Sequence, residues 1–143
     1  AVPETLLAQA QDKVSAASRR SRANQARAAR AQAREKHEQA RAMLASYLKT
    51  GKLSQLLELR RFLGEHNNVG FPAELTARVE IVSRERFRTG MTEGDAHYAR
   101  GEYRDARAIW RRIEPLAPPG SELSKKLERV QRVIDKLENL ENR

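Results

Sequence analysis

Residues 98–118 read YARGEYRDARAIWRRIEPLAP. Gly101 separates two helix-forming stretches. Tyr103 lies two residues beyond it, Ala106 a further three, Trp110 a further four, and Pro118 closes the phrase. Glycine breaks a helix by its backbone freedom, whereas steps of three and four residues keep side chains on one helical face. The stretch therefore predicts a helix, a tight turn and a second helix, with Tyr98, Tyr103, Ala106 and Trp110 as packing residues.

Composition extends that reading outward. The 143 residues suit one domain, with 39% hydrophobic and 33% charged residues. Alanine accounts for 21 positions, against three Phe, three Tyr and one Trp, so the core is expected to be modest. Good helix formers dominate and β-branched residues are few, which predicts an all-α fold. The absence of Cys excludes disulfides, thiolate metal sites and a cysteine nucleophile. No window approaches the roughly 20 apolar residues of a membrane span. The opening AVPE lacks Met, which fits signal removal and a bacterial periplasm, or an artificial start and a cytoplasmic protein. Arg outnumbers Lys by 21 to 7 beside abundant Ala, a codon bias that suits a GC-rich bacterial source.

Two parts are expected, a long basic Ala/Arg-rich helix over 1–50 and a helical body over 51–143. From Pro3 to about Lys49 no Gly or Pro follows Pro3, so one helix can run unbroken. Leu7, Ala10, Val14, Ala17, Ser21, Asn24, Ala28 and Ala31 alternate three and four apart as a heptad seam. Lys13, Arg20, Arg27, Arg34 and Arg41 stand seven apart on one flank; Gln11, Ser18, Gln25, Gln32 and Gln39 line the other. In the body, Leu53 to Leu63 predicts a short helix ending at Gly64, and GEHNNVG a loop. Pro72 opens a helix that either stops near Thr89-Gly90 or continues to Arg100. Helices from Glu102 to Glu114 and from Ser121 to Leu140 follow, the last with a seam of Leu123, Leu127, Val130, Ile134 and Leu137.

Gly94, Tyr98, Gly101, Tyr103, Ala106, Trp110 and Pro118 together resemble the tetratricopeptide repeat, a 34-residue helix–turn–helix unit. The resemblance spans residues 87–120. It implies that Gly94 and Ala106 let the two helices approach, that Gly101 and Tyr103 form the turn and that Trp110 is the large packing residue. Gly90 stands where the family has a bulky aromatic, Ile113 where it has a small residue, and Pro115 falls inside the expected second helix. A fainter second copy places Gly51 on Gly101, Leu53 on Tyr103, Leu56 on Ala106 and Arg60 on Trp110. The offset of 50 residues leaves room for an additional helix at about Pro72 to Arg88. The family implies a TPR-like body with a C-terminal capping helix, and a role in organising multiprotein assemblies.

No catalytic motif emerges. His37, His66 and His97 form no metal-binding spacing, no phosphate-binding Gly loop is present, and no cofactor is expected. The net charge of +9 suits nucleic acid, an anionic membrane or an acidic protein surface, and by itself selects none of them. The expected function is a non-enzymatic scaffold that binds an acidic protein partner through Arg20, Arg27, Arg30, Arg34 and Arg41. Arg100, Arg104, Arg107 and Arg111 are secondary candidates, the last three sharing one exposed helical face. Two repeats make a small unit, so homo-oligomerisation or a larger complex is a further expectation. A basic helical nucleic-acid-binding protein is the alternative, without a recognisable nucleic-acid motif.

Overall fold

The computed structural model describes residues 4–142. It contains α1 (Glu4–Thr50), α2 (Leu53–Glu65), α3 (Ala73–Ala99), α4 (Tyr103–Ile113) and α5 (Leu123–Glu141). Single 3-10 turns lie at Asn67–Val69 and Glu114–Leu116, and no strand occurs among the described residues. The predicted all-α class, with a long first helix and a helix at the C-terminal end, is the observed one. The expected helix start at Pro3 lies outside the described residues.

Two glycine turns set the chain reversals. Gly51 and Gly101 have φ values of 68° and 78°, which side chains with a Cβ avoid. The Gly51 amide donates to the Tyr47 carbonyl at 2.7 Å and the Gly101 amide to the Tyr98 carbonyl at 3.0 Å. The chain thus folds back from α1 into α2, and from α3 into α4.

Only the last third of α1 reaches the core. Ala40, Leu44 and Tyr47 are buried, the first two packing with Leu59 of α2 and with Leu75 and Val79 of α3. Tyr47 joins Leu56 and Leu116, and burial pushes its phenol above the usual range. From Thr5 to Gln32 every residue is exposed except the half-exposed Ala16. With a rise of 1.5 Å per residue, this part of α1 is an arm of about 40 Å.

The helix that opens after Pro72 continues through Gly90 to Ala99. The additional helix expected at about Pro72 to Arg88 is therefore the first half of α3. That half carries Leu75 and Val79 to α1 and α2, while Gly90 and Gly94 in the second half are buried beneath α4. A Cβ on Gly94 would enter the Trp110 indole, and one on Gly90 would stand 2.6 Å from Ile113 Cγ2. The nearest neighbour of Gly94 across the helix pair is Trp110. Ala106 is fully buried one turn earlier on α4. Gly90 and Ile113, two of the three departures from the repeat pattern, are complementary: one helix gives up volume where the other supplies it.

Trp110 is 2% exposed and anchors this half of the core with Ala106, Ile113, Leu123, Val130 and Ile134. Its Nε1 donates to the Met91 carbonyl at 3.5 Å, and Lys126 Nζ lies 5.6 Å from the ring centroid. Pro115 has no amide to extend α4, which ends at Ile113 and passes into a 3-10 turn. That turn buries Leu116 against Tyr47 and Leu56, joining the two halves of the molecule.

Candidate interaction surface

The arm has no core to hold it, so its helical form rests on the propensity of Ala, Arg and Gln. Residues 13–34 contain seven Lys and Arg and no acid, so seven of the net nine positive charges sit there. Arg20, Arg27, Arg30, Arg34 and Arg41 are all exposed. Spaced by three, four or seven residues, they form one stripe along the helix. Within the arm the stripe's polar contact is local: Arg27 Nη2 donates to Asn24 Oδ1 at 3.2 Å. Ala31 and Ala33 form a shallow floor between Arg27, Arg30 and Arg34, bounded by His37.

The arm's root is clasped rather than hinged. His37 Nε2 donates to the Val69 carbonyl at 3.0 Å, and its ring centroid lies 5.5 Å from that of Phe71. Lys36 Nζ stands 5.7 Å above Phe62. One turn beyond His37, Arg41 pairs with Glu74 of α3 at 3.7 Å. His37, which the sequence left as an isolated residue, is thus a contact between α1 and the loop after α2.

The secondary candidates lie in a different environment. Arg100 Nε donates to Glu102 Oε1 at 2.5 Å, while His97 Nδ1 lies 3.0 Å from Oε2. The Arg100 hydrogen bond first, and then the His97 contact, hold the Glu102 carboxyl below its ordinary value. Ligand atoms of His97, Glu102 and Asp105 lie within 4.8 Å of one another, but Arg100 already supplies positive charge at this point. Arg104 pairs with Glu138 at 3.5 Å. Arg107 Nη1 and Arg111 Nη2 both donate to Gln131 Oε1, at 3.0 and 3.4 Å. The shared face of Arg104, Arg107 and Arg111 therefore looks onto α5.

The structure also brings together residues that the sequence did not single out. Leu44, Ala45 and Leu48 of α1 face Glu74, Leu75 and Arg78 of α3 across an open groove of about 320 Å³. A signal was present: continuing the seven-residue ladder past Arg41 reaches Leu48. The α3 side had none, since the pairing of Arg41 with Glu74 exists only after two chain reversals.

No helix among the described residues is long and apolar enough to cross a membrane. No family model, no curated protein and no solved structure matches the chain.

Proposed function

We propose that this chain is a non-enzymatic interaction subunit of a multiprotein assembly, presenting a basic helical arm from a tetratricopeptide-like body to an acidic protein partner. The observation that carries this reading is a division of charge. In the body basic and acidic residues are interspersed, 18 Lys and Arg against 15 Asp and Glu over 51–143, whereas residues 13–34 hold no acid. Within the body Arg60 pairs with Glu80, Arg104 with Glu138 and Lys126 with Asp95. On the arm, Arg20, Arg27, Arg30 and Arg34 are in no ion pair among the described residues, although they stand on a helix pinned to the body at His37. A row of guanidinium groups outside any ion pair suits planar, bidentate recognition of carboxylates.

The test is a quadruple change, Arg20, Arg27, Arg34 and Arg41 to Gln, in affinity capture from host extract. Arg and Gln have similar helix propensity, so helicity and melting should hold while the net charge falls from +9 to +5. Acidic protein partners should be lost, with slower association that depends less on salt. Retention of every partner at the original level refutes the reading. Loss of the partners of the unmodified protein on nuclease treatment replaces it with nucleic-acid binding.

A further inference from the structure

We infer that the arginine stripe and the groove between α1 and α3 form one continuous docking track for an acidic amphipathic helix, whose apolar end seats beside Leu48. The inference rests on the interaction reading above and names the shape and chemistry of the partner segment. Arg41 of α1 meets Glu74 of α3, and further along both helices Tyr47 packs in one cluster with Val82, so the two helices pass the groove in the same chain direction. Arg41 and Glu74 mark one end of the groove. Two turns further along each helix stand Leu48 and Ile81, 49% and 53% exposed. Leu44 and Leu75, both buried, give the groove an apolar base, and Arg78 forms part of its rim.

Upstream, the same side of α1 carries Arg27, Arg30 and Arg34, with Arg34 two turns before Arg41. From Arg27 to Leu48 the track is about 32 Å long, which a partner helix of about 21 residues would match. Such a helix would set carboxylates over the arginines and Leu- or Ile-sized side chains over Leu48 and Ile81. An open groove between two helices, with an apolar base, is the setting in which helix-in-groove recognition operates.

The apolar end decides between partner classes. A phosphate backbone would satisfy the arginines but gains nothing from Leu48 or Ile81. A second copy of this chain would bring its own net charge of +9 against the stripe. An acidic protein helix with an apolar end satisfies both halves of the track.

The test uses fluorescent peptides of about 21 residues. The tandem probe has Glu at one-face spacing in one half and Leu in the other, made in both orders. Controls are a scrambled peptide of equal composition and duplex DNA of matching length. The better tandem order should bind about tenfold or more tighter than the scrambled control. Leu48→Gln, at a half-exposed position, should keep the protein folded by circular dichroism and weaken tandem binding by about fivefold, with the salt dependence unchanged. Arg27→Gln with Arg34→Gln should weaken it chiefly at low salt.

Equal binding of tandem and scrambled peptides, or no effect of Leu48→Gln, overturns the docking track. If the quadruple arginine variant still loses its host partners, the scaffold reading survives that failure. Preferential binding of the duplex, insensitive to Leu48, overturns both.

Discussion

At Gly94 and Gly90 the packing of α3 and α4 is decided by missing atoms. Gly94→Ala would gain about 1 kcal/mol of helix propensity. It would also force a methyl group into the Trp110 indole, and overpacking of this kind costs about 1–3 kcal/mol. Trp110 is buried on its other sides, so the steric cost should win and thermal melting should fall. Gly90→Ala meets an aliphatic side chain instead of an aromatic ring, and Ile113→Val removes one of its methyl groups. The double variant should therefore be more stable than the sum of the two single changes, a coupling of about 0.5 kcal/mol or more in denaturant unfolding. At Glu102 the matter is electrostatic. Its folded carboxyl lies below the ordinary value of 4.5, so its contribution to stability is present above that pH and is lost as pH falls through the folded value. Melting curves of the unmodified protein and Glu102→Gln should differ at neutral pH and converge in acid below pH 4.5.

Among the elements, α1 divides most sharply in its physics. Its root is packed, while residues 5–32 are held by backbone hydrogen bonds and propensity. Removing residues 1–31 should therefore lower helicity in proportion to length yet shift the melting temperature by less than about 2 °C. In hydrogen exchange, amides of the arm should exchange far faster than those around Val79 and Trp110. A large fall in melting temperature on truncation would mean that the arm packs in solution against something. The same contrast explains what could be read in advance. The helix of α1, the turn at Gly101, the stop at Pro115 and the seam of α5 follow from local periodicity and breakers, so they were legible. The continuation of α3 through Gly90 was open because glycine weakens a helix by an amount that a neighbour's packing can offset. That neighbour, Ile113, is distant in sequence. Of the candidate surface, the arginine stripe was visible as a seven-residue ladder. The facing of Arg104, Arg107 and Arg111 toward Glu138 and Gln131 was not, because it depends on how α5 returns across α4.

For the molecule as a whole, α3 is the member common to both halves. Its first half is packed with α1 and α2 and its second with α4, and Leu116 ties the halves again from the other side. Unfolding should accordingly be a single transition, with calorimetric and spectroscopic midpoints in agreement. Thr89→Pro, at an exposed site in mid-helix, removes a backbone hydrogen bond and clashes with the preceding turn, at a cost of about 3 kcal/mol or more. It should separate the transition into two, or lower the midpoint by about 6–12 °C if Leu116 alone keeps the halves coupled. The division of charge between arm and body has a consequence before any contact is made. Positive charge gathered at one extremity of a rigid body gives the molecule a permanent electric moment. In the field of an anionic surface such a body experiences a torque as well as an attraction, so it turns arm-first during its approach. Of all the orientations it could present on collision, the arm-first one is favoured while the two surfaces are still separated by solvent.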